Sequence, residues 1–189
     1  MLNYHSEMLL FDAGMRESAI KQNFEKAAFY RDLKIETIER LSALYEKRYF
    51  TVRFFKIIDG KTILMFAAKN GDVPTIKTLL ENKADPSMRD RYSMTPLMYA
   101  ARAGNTDAVK VLIESGAKVK DEDKAQWTAL TWAVRKKQLP VAQILIEKGS
   151  DVDHKDAQGT PLLHNAVSNG DIEMVRLLIS KGANVKAKD

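Results

Sequence analysis

The chain has 189 residues, 45% hydrophobic and 29% charged, with a formal net charge of +5 and no cysteine, a balance that fits a globular protein with a core and excludes disulfides and thiolate metal centres. It has no run of about 18 apolar residues and no N-terminal leader pattern, which argues against a membrane-spanning helix or a secretory signal and makes the cytoplasm the expected compartment, with a secreted effector as the alternative. The basic excess leans towards acidic partners.

In chain order, Glu7 to Lys21 reads as a helix weakened by Gly14, and Asn23 opens a longer helical pattern to Tyr49. Phe24, Ala27, Ala28, Ile35, Ile38, Leu41 and Leu44 form a broad apolar stripe along it. Two helices meeting near Gln22 and Asn23 predict an α-helical hairpin over residues 1–56. Within it "FEKAAFYRD", Phe24 to Asp32, resembles the UVR motif of UvrB/UvrC-type repair proteins and some Clp protease partners, although Lys34 stands where that motif has an aliphatic residue. The resemblance implies docking to a Clp-type protease or repair complex. The plainer expectation is a cap over the apolar face of the neighbouring C-terminal segment. The connecting "YFTVRFFKIIDG" is apolar and β-branched, and is expected to be buried at the joint.

From Thr62 onward the chain repeats itself. "TILMFAAKNGDVPTIKTLLENKA", "TPLMYAARAGNTDAVKVLIESGA", "TALTWAVRKKQLPVAQILIEKGS" and "PLLHNAVSNGDIEMVRLLISKGA" align at a spacing of 33 residues. That shift superimposes Leu64, Leu97, Leu130 and Leu163, then Ala67, Ala100, Ala133 and Ala166, then Leu79, Leu112, Leu145 and Leu178. A fixed period of this size means stacked units, each unable to bury its apolar face alone. Each unit reads as two short helices. Thr62, Thr95 and Thr128 are expected N-caps of the first, with Pro96 at an initial helical position. Gly71, Gly104 and Gly170 end it, and Asp72, Asn105 and Asp171 are expected to cap the second, which Gly116, Gly149 and Gly182 close. Lys83 and Lys137 stand at glycine positions and should adopt left-handed backbone. In the last unit Pro161 takes the threonine place, so Thr160 is expected to cap one residue early.

"TPLMYAARAGNTDAVKVLIESGA" resembles an ankyrin repeat, whose period and T-P-L-H-x-A signature it shares. The resemblance covers residues 60–189 and implies an all-α ankyrin-repeat solenoid with four helix-turn-helix repeats, at about 57–89, 90–122, 123–155 and 156–189. It also implies partners held by the turn tips and the exposed side of the inner helices.

Catalytic signatures are missing: there is no GxxxxGK, GxSxG or HExxH. Of the three histidines, His164 occupies the signature position and His154 sits among the turn aspartates Asp151, Asp153 and Asp156, where polar residues recur in every repeat. No acid–base pair, metal set or cofactor site is expected, and the chain is not read as an enzyme.

Repeat register places Lys61, Lys69, Arg91, Tyr92, Met94, Arg102, Lys124, Trp127, Arg135 and Lys136 on the partner-facing side, with Asp59 the single acid and Asn70, Ala103, Ala125, Gln158, Thr160, Ser168 and Asn169 beside them. Arg, Tyr and Trp are the types enriched at binding hot spots. The expected partner is an acidic protein segment, with Trp127 as apolar anchor and Arg102 and Arg135 pairing carboxylates. An ordinary solvated face is the bland alternative. Nucleic acid is the less favoured partner, because the cations are spread by the repeat and no nucleic-acid motif appears. The chain stops at Asp189 without a polar final cap. The last repeat is therefore expected to tolerate exposure, to continue in a longer protein, or to be covered by another subunit; a monomer or a dimer through that end or the hairpin both fit.

Overall fold

The computed structural model describes residues 60–187, all within the second of two compact units, Phe55–Asp189. The expected hairpin over residues 1–56, with its UVR-like stretch, and the connecting segment up to Asp59 lie outside the described residues.

Eight helices alternate strictly among the described residues. They are α1 (Ile63–Asn70), α2 (Val73–Glu81), α3 (Pro96–Ala103), α4 (Thr106–Glu114), α5 (Ala129–Arg135), α6 (Leu139–Glu147), α7 (Leu162–Ser168) and α8 (Ile172–Ser180). The odd helices pack in series as an inner layer and the even helices as an outer layer, each pair bound to the next. Among the described residues there is no strand, and Lys155 and Pro161 form an isolated antiparallel bridge.

Helices of seven to nine residues are too short to hold in water alone, so their stability is tertiary. Alanine does much of the positioning. Ala67, Ala68, Ala100, Ala101 and Ala133 are at most 1% exposed and let inner helices approach closely. Behind them Leu64, Leu97, Leu130, Leu112, Leu145 and Leu178 are sealed, each burial stabilising the fold by about 1.5–3 kcal/mol.

The inner helices start on threonine. Oγ1 of Thr62, Thr95 and Thr128 accepts from the backbone N–H of Met65, Met98 and Thr131 at 3.2, 3.4 and 3.2 Å. The partner side chain returns the bond: the sulfurs of Met65 and Met98, and Oγ1 of Thr131, accept from the threonine N–H. In the last repeat the N-cap is Pro161, and no side chain caps the helix. Thr160 therefore does not take over the expected role. Its N–H is held instead by Asp156 at 2.9 Å, which ties it into the turn.

Asn105 also departs from expectation. Asp72 and Asp171 cap their outer helices by accepting from Thr75 and Met174, but Asn105 makes no such bond. Its Nδ2 reaches back one repeat and donates to the carbonyls of Ala68 and Lys69 at 3.0 and 2.8 Å. Those carbonyls lie at the C-terminal end of α1, where that of Ala68 also accepts from the Gly71 N–H at 3.3 Å. Gly71 makes room: at φ +72° it is left-handed, and a Cβ there would lie 2.9 Å from the Asn105 amide. Lys83 and Lys137 do adopt the left-handed backbone, at φ 67° and 57°.

Candidate partner-binding face

The turn ahead of three inner helices is built on one buried aspartate, Asp90, Asp123 or Asp156, 7%, 8% and 8% exposed. Asp90 Oδ1 accepts from the N–H of Tyr92 and Met94, both at 2.9 Å. Asp123 Oδ1 accepts from Ala125 and Trp127 at 2.8 and 3.0 Å, and Asp156 Oδ1 from Gln158 and Thr160 at 3.1 and 2.9 Å. Each carboxylate satisfies amides that the tight turn leaves unpaired. Neighbouring turns are then joined main chain to main chain: Lys124 N–H donates to Tyr92 carbonyl at 3.0 Å and Ala157 N–H to Ala125 carbonyl at 3.1 Å.

The second carboxylate oxygen anchors the inner helix. Tyr99 O–H donates to Asp90 Oδ2 at 2.7 Å, and Trp132 Nε1–H donates to Asp123 Oδ2 at 3.0 Å. Burial, followed by the bond to Asp90 and its negative charge, holds the Tyr99 phenol well above the usual tyrosine range, so it remains a donor.

Cations lie on these rings. The Arg102 guanidinium carbon is 4.7 Å from the Trp132 centroid, and Arg135 is 4.2 Å from that of Trp127. The two tryptophans meet edge to face, centroids 4.8 Å apart at 74°. Arg135 Nη1 also donates to Asn165 Oδ1 of the next repeat at 2.8 Å. Arg91 lies 4.7 Å from the Tyr92 centroid and donates to the Tyr92 hydroxyl, while Lys61 Nζ is 5.9 Å from the Tyr99 centroid. Such contacts are worth about 0.5–1 kcal/mol each at exposed sites. Their larger effect is to fix where the charges sit.

Of the residues expected on this face, Lys69, Arg91, Tyr92, Arg102, Lys124, Arg135 and Lys136 are exposed, and Lys61 and Trp127 are half-buried. No described carboxylate forms an ion pair with Lys69, Arg102, Arg135 or Lys136. Met94 is a correction. At 5% exposure it is part of the core, because Asp90 clamps its N–H and its carbonyl accepts from the Asp90 N–H at 3.1 Å, which fixes this position in the wall of the turn. Trp127 shares that register. Its Nε1–H is buried without a hydrogen-bond acceptor, so only part of the ring is open to a ligand.

Three residues that organise this face escaped the sequence reading: Tyr99, Trp132 and Asn165. They occupy one register, 33 residues apart, with Phe66 as the first member. Three aromatics at one repeat position was the signal, and it sits in the variable slot of the signature, between the His-type position and alanine.

Among the described residues no group of His, Asp or Glu could hold a metal ion, and no helix is long and apolar enough to cross a membrane. His154 contacts the Gln126 carbonyl oxygen at 2.6 Å and braces two turns. In comparisons with known proteins, no curated protein matched. The family model of ankyrin repeats (3 copies) matches residues 26–123 and again 119–189. The first match begins inside the segment expected to form the hairpin. Ankyrin repeats generally mediate protein–protein interaction and are typically non-enzymatic. With paired helices, aspartate-built turns and matches spanning most of its length, the chain belongs to the ankyrin-repeat family.

Proposed function

We propose that the protein is a non-enzymatic interaction module that binds an acidic protein segment through the inner-helix face and turn tips of its second and third repeats. The observation that carries this is the array Arg102–Trp132–Trp127–Arg135, in which two guanidinium groups lie over two mutually packed indoles. A stacked guanidinium keeps its N–H edge available, and a carboxylate approaching that edge forms a bidentate, charge-assisted pair. The aromatic edges between the cations supply apolar contact of the kind found at binding hot spots.

Lys69, Lys124 and Lys136 extend the positive field around the array and would steer an acidic partner towards it. The test is affinity purification on the full chain and on the Trp127→Ala, Arg135→Ala double variant, followed by direct titration of the recovered partner. At least a tenfold loss of affinity is expected, with the fold intact by circular dichroism. Unchanged affinity would remove this face from the function.

A further inference from the structure

The two arginines of the array are not equivalent, and the fourth repeat makes the difference. The register that carries Lys69, Arg102 and Arg135 holds Ser168 in repeat four, so that repeat adds no cation of its own there. Instead it holds the cation before it. Arg135 Nη1 donates to Asn165 Oδ1 at 2.8 Å, and one turn further on Asn169 Nδ2 donates to the Val134 and Arg135 carbonyls at 3.3 and 3.4 Å. Arg102 meets a ring, Trp132, at the corresponding place in its following repeat, and among the described residues its guanidinium has no hydrogen-bond acceptor.

Asn165 suits this task by type and by burial. It is 8% exposed, and its Nδ2 turns to the Pro161 carbonyl at 3.5 Å, which leaves Oδ1 for Arg135. Arginine offers donors only, so the atom that faces it must accept. The amide oxygen accepts without charge, whereas a carboxylate in the same place would form an ion pair and cancel the cation that an acidic partner needs. The bond also decides which edge stays open. Nη1 lies on the Cδ side of the guanidinium, so the edge formed by Nε and Nη2 is left, and neither nitrogen has an acceptor among the described residues. That edge carries two parallel N–H groups, the fork that takes one carboxylate side-on.

We infer that Asn165 is a specificity-determining positioning residue: it holds Arg135 as a socket for a single carboxylate of the partner, received through Nε and Nη2. Arg102, over a ring but without such a bond, adapts to the partner's remaining acids. This rests on the acidic-partner reading above and deepens it. A guanidinium ordered before the partner arrives loses less freedom on binding, so the pair forms more tightly than one made by an untethered arginine. The fourth repeat thereby contributes to recognition without offering a charge of its own in that register.

Fluorescence anisotropy of the full chain tests it with a labelled Asp-Ala-Asp-Ala-Asp-Ala-Asp heptapeptide, the same peptide with Asn for Asp, and a thymidine oligonucleotide. Asn165→Ala should weaken the acidic peptide about fourfold in the wild-type background but less than about 1.5-fold in an Arg135→Ala background, where the bond has lost its donor. Asn165→Asp should weaken it at least about tenfold, because the new carboxylate occupies the guanidinium. Asn169→Ala, which loosens the same helix end without touching the guanidinium, should change affinity less than about twofold. Melting curves establish that each variant folds; should Asn165→Asp not fold, the alanine cycle decides alone. Equal losses for Asn165→Ala in the two backgrounds, a loss of the same size for Asn169→Ala, or full binding by Asn165→Asp would each overturn the socket and leave the acidic-partner reading standing. Wild-type affinity for the acidic peptide no higher than for the asparagine peptide would overturn both, and tighter binding of the oligonucleotide would replace the acidic partner by nucleic acid.

Discussion

The Arg102 guanidinium rests on the Trp132 ring of the following repeat, 4.7 Å from its centroid, while the Trp132 Nε1–H is held by the buried Asp123 at 3.0 Å. One side chain thus serves two ends: its nitrogen fixes a turn and its face positions a cation. Trp132→Phe separates them. It keeps an aromatic surface but leaves an Asp123 oxygen without its donor, which should cost about 1.5 kcal/mol because the bond is to a charged group. Urea denaturation measures that loss. An unaltered midpoint would mean that the Asp123 bond contributes nothing.

The Tyr99–Asp90 pair gives the repeats an alkaline weakness. A phenol held above its normal range keeps its proton in the folded state at pH values where the unfolded chain, with a tyrosine pKa of about 10, has begun to lose it. The folded state then binds more protons, so stability is complete below about pH 10 and declines as pH rises beyond it. Tyr99→Phe should flatten the decline above pH 10 in melting temperatures recorded from pH 7 to 11. If wild type and variant fall in parallel, the pair is not the cause.

The two left-handed lysines are sites of relievable strain. Lys83 and Lys137 hold φ of 67° and 57°, where a Cβ is disfavoured by about 1 kcal/mol, partly offset by the greater unfolded freedom of glycine. Lys83→Gly and Lys137→Gly should each stabilise the protein by about 0.5 kcal/mol. Gly104→Ala should do the reverse, since at φ +83° its Cβ would collide with the Gln138 side chain of the next repeat. Chemical denaturation of the three variants checks the opposite signs.

At the last repeat, Ile172 and Ile179 are 62% and 46% exposed. Replacing either by Gln should change stability by less than about 0.5 kcal/mol, as for ordinary surface positions. Ile76→Ala, at a fully buried site in α2, should cost about 2–5 kcal/mol. If the Gln variants instead destabilise strongly at high protein concentration alone, a second copy covers that surface.

The architecture was legible because packing repeats where sequence does. The aligned leucines and alanines are all buried, and the threonine caps fall at the expected places, as do the lysine substitutions for glycine. What escaped depends on contacts between repeats. Asn105 looks like a cap for its own helix, yet its amide serves the end of α1 in the preceding repeat, where it donates to two carbonyls. Met94 was placed outside because register alone does not tell which way the clamped turn directs a side chain. Trp132 was missed for the converse reason: its slot is variable, and only the neighbouring Arg102 and Asp123 give it a role.

The most direct test uses the chain's two tryptophans, both of which lie in the proposed face. Titrating the labelled full chain with an aspartate-rich heptapeptide, and following the two indole N–H signals by NMR, reads that face specifically. The expected result is saturable movement of both indole signals, together with the Arg102 and Arg135 side-chain resonances, abolished by the Arg102→Glu, Arg135→Glu variant. Binding that leaves both indoles still, or shifts confined to the outer helices, would contradict the account.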